Sequence, residues 1–381
     1  MREIIFFITS FVFKLLSIFP TPKNRVILEC DYGKGFFGNL LYIYKEIKEE
    51  KLPMEIIIPI NSGVKIDILE DENTKVIKTR TFKHLYYLAT SKYWITNNHY
   101  YHFLPKPKGT IMINTWHALG AFKKFGIDSA KAEKDKERFI KDSKNIDYLL
   151  VSSKELKEIY SKALNVEKNK ILSLGIPRTD VLFDSEHMEI VKKEFFNLYK
   201  ELKKKNIILY APTFRDDEKE YFNMQLDLKL LKENLGEGSV ILLKLHPIIR
   251  HKFEIPKELE GFVIDVSKVN INKLMIISDM LITDYSSVIF EYSLLDKPII
   301  FFAYDYEKYK NNLRNFYFGY EEFIPGKMLK TSEEVLKEIH EGMKSSYDKE
   351  LIREFSKRFC EYTDGKSTKR FINYFFKNKQ Q

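Results

Sequence analysis

The chain has 381 residues, 44% hydrophobic and 31% charged, a globular composition at a length that accommodates two domains and excludes an intrinsically disordered chain. Its two cysteines, Cys30 and Cys360, stand far apart in the sequence, which argues against a disulfide framework or a CxxC zinc site and fits a reducing compartment. The formal charge of +9 suits an anionic membrane surface and anionic substrates or reflects only the abundance of lysine. No zinc finger, RNP motif or basic helix with stacking residues points to nucleic acid.

Residues 4–19, IIFFITSFVFKLLSIF, are almost wholly apolar and are followed by Pro20 and Pro22, where a helix stops. On a helical wheel Glu3, Ser10, Lys14 and Ser17 fall on one narrow polar stripe, with Ile4, Ile8, Val12, Leu15 and Phe19 covering the rest. That pattern predicts an amphipathic membrane helix over residues 1–20 lying in the interface. A spanning helix is the rival, because roughly a dozen apolar residues at about −0.5 kcal/mol each outweigh the roughly 3 kcal/mol cost of Lys14. No small-x-small site precedes Pro20, against a cleaved signal peptide.

From residue 25 short apolar strands alternate with charged helical stretches. RVILEC, MEIIIPI, TKVIKT, KYWITNN and GTIMINTW read as strands, with helices such as NLLYIYKEIKEE between them. A second series, NIILYAP, SVILLKLHP, GFVIDV, MLITDY and KPIIFF, begins near residue 206. The fold class is therefore α/β of GT-B type, two Rossmann-like domains facing a central cleft, with ligands at the carboxyl ends of the strands. The expected boundaries are an acceptor domain over 21–190 and a donor-binding domain over 191–381, joined in the Lys- and Glu-rich helical stretch 187–205.

Four strand ends carry chemistry. NTWHALGAFKKFG, residues 114–126, places His117 directly after a strand and follows it with glycines, Lys123 and Lys124. An imidazole of ordinary pKa about 6.5 takes a proton from a hydroxyl near neutral pH, and lysines near the start of a following helix offset phosphate charge. LYAPTFRDD, residues 209–217, offers Thr213 and the Arg215 fork, suited to bidentate phosphate contact or else paired to Asp216 or Asp217. LLKLHP, residues 242–247, offers Lys244 and His246 to a diphosphate, or is an ordinary loop. ITDYSSVIFEY, from residue 282, ends a strand and opens a helix at Ser286 and Ser287, where free N–H groups and hydroxyls favour an anion. Asp284 and the serines otherwise simply cap that helix, and Glu291 stands one turn on, within reach of a ribose diol. His99 and His102 in NNHYYHF have ligand spacing but no acidic partner nearby in sequence, and read as loop residues.

At these residues the sequence resembles the CDP-glycerol glycerophosphotransferase family, the teichoic acid polyol-phosphate primases and polymerases. Seven blocks match in order: Trp116 to Gly126, Gly175 to Asp180, Tyr210 to Arg215, Leu243 to Pro247, Ile282 to Phe302, Arg314 to Tyr320, and Asp364 to Arg370. The resemblance implies a GT-B fold and peripheral attachment at the cytoplasmic face of the cell membrane. It implies a donor, CDP-glycerol or CDP-ribitol, and a lipid-linked acceptor of undecaprenyl type. It carries the general base onto His117 and the pyrophosphate contacts onto His246, Arg215, Ser286, Ser287 and Lys244. The expected reaction is attack of an acceptor hydroxyl on the β-phosphorus with release of CMP. Its charge is met by Arg215, Lys244, His246 and the helix start rather than by a metal, and no cofactor is firmly implied. The rivals are a GT-B glycosyltransferase using CMP-sialic acid and a sensor that keeps the fold without turnover.

Overall fold

A computed structural model of the chain describes residues 2–215, 222–246, 249, 253–310 and 315–377. Two units result, one taking Met1–Leu119, Phe125–Asp180 and Asp364–Gln381, the other Gly120–Lys124 and Val181–Thr363. The division at Asp180 precedes the expected boundary at residue 190, and two exchanges of chain are not visible in the sequence pattern. Gly120–Lys124 joins the second unit, and the last segment returns to the first.

The first unit is built on strands β1 (Arg25–Glu29), β2 (Glu55–Ile60), β3 (Thr74–Lys78), β4 (Tyr93–Thr96), β5 (Ile111–Asn114), β6 (Tyr148–Val151) and β7 (Ile171–Ser173), in the order β3-β2-β1-β4-β5-β6-β7 with every pairing parallel. Strands buried on both faces must be apolar throughout, which is why β1, β2 and β4 read as continuous hydrophobic runs. The short strands β6 and β7 escaped that reading. The sheet is flanked by helices that include α2 (Gly38–Glu49), α3 (Phe82–Ala89) and α4 (Glu133–Ser143). From the returning C-terminal segment Phe371, Ile372 and Phe375 enter this core. The return is pinned by Asp180, whose carboxylate accepts from the Ser367 and Thr368 N–H groups (2.9 and 2.7 Å) and the Thr368 hydroxyl (2.7 Å). Arg370 grips Asp364 with one nitrogen at 3.0 and 2.8 Å and donates to the Leu174 carbonyl. Two of the seven sequence blocks are thus a structural clasp.

The N-terminal helix, α1 (Arg2–Leu16), is 15 residues long, about 22 Å at 1.5 Å per residue against a hydrocarbon core of about 30 Å. Among the described residues no helix is long and apolar enough to cross a membrane. The expected single polar stripe is replaced by a division of the apolar residues. Phe13 and Leu16 are buried, and Phe6 stacks on Phe103 at 4.1 Å. Ile4, Phe7, Ile8, Phe11 and Leu15 are exposed. Of the stripe, Glu3 and Lys14 are exposed while Ser10 and Ser17 are half-buried, the Ser17 hydroxyl donating to the Phe13 carbonyl.

The second unit holds β8 (Asn206–Tyr210), β9 (Ser239–Leu243), β10 (Val263–Asp265), β11 (Met280–Thr283), β12 (Ile299–Phe302) and β13 (Met328–Leu329), also parallel, in the order β10-β9-β8-β11-β12-β13. Both sheets reverse their winding once, at β1/β4 in the first unit and β8/β11 in the second. In doubly wound sheets such reversals splay the loops apart at the strand carboxyl ends and leave a crevice for ligands.

Candidate functional site

His117 stands three residues past the end of β5, beside the reversal of the first sheet. Its Nδ1 lies 3.1 Å from the Asn97 carbonyl oxygen, beyond the end of β4. A carbonyl only accepts, so the neutral ring carries its proton on Nδ1 and presents Nε2 as an acceptor. Trp116 stacks on the imidazole at 4.4 Å with a left-handed backbone, φ +51°, a strained conformation for a bulky residue. Asn114 Oδ1 accepts the Trp116 N–H at 2.8 Å, and the buried Asn39 donates to the carbonyls of Thr115 and Trp116, both at 3.1 Å. The β1 and β4 loops are tied across the reversal, Asp31 N–H donating to Asn97 Oδ1 and Asn98 Nδ2 to Asp31 Oδ1, both at 2.9 Å.

His117 is exposed on one side, while protein packs around its other sides, and that desolvation pushes its pKa below 6.5. The Asn97 carbonyl opposes the shift, Arg178 reinforces it and Asp31 opposes it. A neutral imidazole at neutral pH, with its acceptor nitrogen fixed, is the state a general base requires.

Lys123 and Lys124 belong to the second unit and lie just ahead of a short 3-10 helix, Gly126–Ser129. Lys123 forms an antiparallel bridge with Phe316, and the Lys124 N–H donates to the Asn315 carbonyl at 2.9 Å. The Lys123 ammonium reaches the Tyr309 hydroxyl at 3.3 Å. It also helps depress the pKa of His246, which is lowered first by desolvation, then by Lys123 and Lys244. His246 stacks on Phe214 at 4.5 Å. Lys244 donates to the carbonyls of Ser267 and Val269, both at 2.7 Å. Three basic side chains therefore gather at the β8/β9 end of the second sheet.

Thr213, in the loop after β8, donates its N–H to Asp284 Oδ1 at 2.9 Å. Its hydroxyl is buried without a hydrogen-bond partner among the described residues. Arg215 is 2% exposed and its fork meets carboxylates. Nε and Nη2 donate to Asp305 at 2.9 and 2.8 Å, and Nη1 to Asp284 at 2.7 Å and to the Thr213 carbonyl. Tyr285, Tyr304 and Tyr309 surround the guanidinium at 5.2 to 5.3 Å. The expected partners Asp216 and Asp217 lie outside the described residues, as do Pro247 and Arg314. Asp284 does not cap the following helix, whose N-cap is Ser287; besides Thr213 and Arg215 its carboxylate accepts the Tyr285 N–H at 2.6 Å. Ser286 is half-buried and accepts the Val288 N–H at 3.3 Å, Ser287 is exposed, and Glu291 is buried in the short helix Val288–Ser293.

Sequence reasoning missed Asn97, Asn39 and Asp305, and a strand-end position is the one signal that marks Asn97 and Asp305. It also found no acid for His99 and His102, whereas the fold brings Asp142 of α4 to 3.7 Å from the first and 3.8 Å from the second. Among the described residues no group of three or more His, Cys, Asp or Glu is placed to hold a metal ion.

The chain is similar to the teichoic acid poly(glycerol phosphate) polymerase of Bacillus spizizenii (strain ATCC 23059 / NRRL B-14472 / W23), 34% identical over 388 residues that cover 97% of this chain and 96% of the relative. It is 35% identical over 368 residues to the teichoic acid glycerol-phosphate primase of Bacillus subtilis (strain 168), covering 94% of this chain and 90% of that one. A solved structure of the wall teichoic acid polymerase TagF superimposes with a TM-score of 0.87 at 28% identity, over 100% of this chain and 96% of the other. The CDP-glycerol:poly(glycerophosphate) glycerophosphotransferase family matches residues 11–377, and the chain belongs to that family.

Proposed function

We propose that this protein transfers glycerol phosphate, or ribitol phosphate, from its CDP-linked donor to a hydroxyl of a lipid-linked acceptor in the synthesis of a teichoic acid or related surface polymer. The observation that carries the reading is the fixed tautomer of His117, Nδ1 held by the Asn97 carbonyl and Nε2 presented as acceptor. The acceptor hydroxyl gives its proton to Nε2 as its oxygen bonds to the β-phosphorus. The bond from the β-phosphorus to the bridging oxygen breaks, and that electron pair leaves on CMP. The donor pyrophosphate sits against the basic group of Lys123, Lys244 and His246, with the Thr213 and Ser286 hydroxyls as further contacts and Arg215 setting the loops. The base stands on the first unit and the donor-side basic group on the second, each beyond the carboxyl end of a doubly wound parallel sheet of the kind found in GT-B folds. Attachment at the cytoplasmic membrane face is through α1, whose exposed Phe7, Ile8, Phe11 and Leu15 suit an interfacial helix.

CMP release is measured with CDP-glycerol, CDP-ribitol or CMP-sialic acid and a polyprenyl diphosphate-linked disaccharide as acceptor. Turnover with a CDP-polyol and none with CMP-sialic acid is expected; the reverse pattern would sink the reading. The pH profile gives a second check. A base must be neutral, so kcat/KM holds at high pH and falls as pH drops through the pKa of His117. Because that pKa is pushed below 6.5, the acid limb lies below pH 6.5. An acid limb above that value would contradict the assignment.

A further inference from the structure

A cavity of about 690 Å³ lies wholly within the first unit, between α1, α3, α4 and the loop after β4. It is distinct from the crevice at His117, although its wall contacts the His117 loop through packed side chains. Its wall residue Asp142 lies 3.7 Å from His99, whose ring contacts Trp116 at 5.4 Å, and Trp116 stacks on His117.

The lining is divided by polarity. Ile5 and Phe6 of α1, with Leu85, Leu88 and Leu104, make one side apolar. Ile5 is also 55% exposed, so the exposed apolar face of α1 runs directly into the cavity mouth. The other side carries Tyr100, His84 and Asp142, each at least nine-tenths buried, whose hydroxyl, Nε2 and Oδ1 respectively have no hydrogen-bond partner among the described residues. His84 Nε2 stands 3.6 Å from a Glu29 oxygen and Asp142 Oδ1 3.8 Å from His102 Nδ1; both exceed hydrogen-bonding distance. Buried polar groups are nearly always satisfied, and three such groups on one cavity wall mark a place where a ligand completes the bonding. Arg80 and Arg138 also line the space, so its cationic groups outnumber its one carboxylate and favour an anion with several hydroxyls.

We infer that this cavity is the seat of the acceptor, receiving the phosphorylated, hydroxyl-rich head of a polyprenyl-type lipid whose chain enters from the membrane past Ile5. The inference rests on the transfer reaction proposed above for the identity of the ligand, and it adds the place where that ligand is held. Apolar entry and polar interior match the two halves of such an amphiphile, and Asp142, His99 and Trp116 link the cavity wall to the loop that carries His117.

The test is binding of the full chain to lipid nanodiscs, with and without a polyprenyl diphosphate-linked disaccharide, in a phosphatidylglycerol background. The wild type is expected to prefer the acceptor-bearing discs by about tenfold or more, a preference that inorganic phosphate does not abolish. Thr9→Trp, which fills the cavity from α1, and Arg138→Gln, a change on the exposed face of α4, should each remove most of that preference. Binding to plain discs and to CDP-glycerol should stay within about twofold of the wild type. Absence of preference in the wild type, its survival in both variants, or an equal loss of plain-disc binding would overturn the proposal. Failure of the wild type to bind CDP-glycerol would instead overturn the donor reading, because disc preference is measured without donor.

Discussion

His117→Ala is expected to lower CMP release by about 100- to 10,000-fold, the range that a positioned general base contributes, while the affinity for CDP-glycerol stays near its wild-type value. The reasoning is geometric. His117 belongs to the first unit, and the basic residues assigned to the donor, Lys123, Lys244 and His246, belong to the second, so truncating the imidazole leaves the phosphate contacts in place. The protonation state is set by a bond the ring already makes, Nδ1 to the Asn97 carbonyl at 3.1 Å. His117→Asn and His117→Gln should be nearly as inactive, because an amide cannot take up a proton near neutral pH. Trp116 and Asn39 should keep the loop in place in all three variants, since their bonds run through backbone carbonyls and Asn114 rather than through the imidazole. Donor affinity is read by calorimetry and turnover by CMP release in single-turnover mode, which separates chemistry from product release. If His117→Ala kept turnover within about tenfold of the wild type, the imidazole would not be the base.

How much of this was legible in the sequence follows from which forces are local. Strands such as β1, β2, β8 and β9 were found because a parallel sheet covered on both faces demands unbroken apolar runs. β7 and β13, with three and two residues, are too short to show a period. His117 was legible because a strand end carries chemistry, but Asn97, which sets its tautomer, comes from another strand and is brought close only by the β4–β5 pairing. The same holds for Asp142 beside His99 and His102. The return of residues 364–381 to the first unit depends on Asp180 meeting Ser367 and Thr368, contacts with no local signature. Arg215 is the clearest case. Its motif marked it as important, and a guanidinium near a proposed phosphate reads as a phosphate contact. The fold instead delivers Asp305, distant in the chain, to the same guanidinium, and a charge with two carboxylate partners sits in a different balance from one awaiting an anion.

Arg215→Ala should therefore act first on stability. The guanidinium is 2% exposed, so bulk solvent does little to screen it. Nε, both hydrogens of Nη1 and one of Nη2 have acceptors in Asp305, Asp284 and the Thr213 carbonyl. Removing it leaves two carboxylates facing each other in a site walled by three tyrosines, and breaking a buried ion pair from one side costs about 3–5 kcal/mol. For a unit of this size that corresponds to roughly 2–4 °C of Tm per kcal/mol. Arg215→Lys should recover only part of it, because one ammonium cannot address both carboxylates with a planar fork. The loss should be confined to the second unit: amide-exchange protection falls on β8 and β11, which Thr213 and Asp284 extend, while β1 and β4 keep theirs. Replacing Arg215, Asp284 and Asp305 together by Met, Asn and Asn should restore part of the stability, since the penalty lies in unpaired charge rather than in a missing attraction. The triple variant should bind CDP-glycerol less tightly than the wild type, because Asp284 Oδ1 accepts both the Thr213 N–H at 2.9 Å and the Tyr285 N–H at 2.6 Å, and a neutral amide oxygen in its place makes weaker bonds than a carboxylate. Full stability in Arg215→Ala, within about 1 kcal/mol of the wild type, would show that the guanidinium is not the buried hub of the β8/β11 reversal, and would return it to the role of a direct phosphate contact.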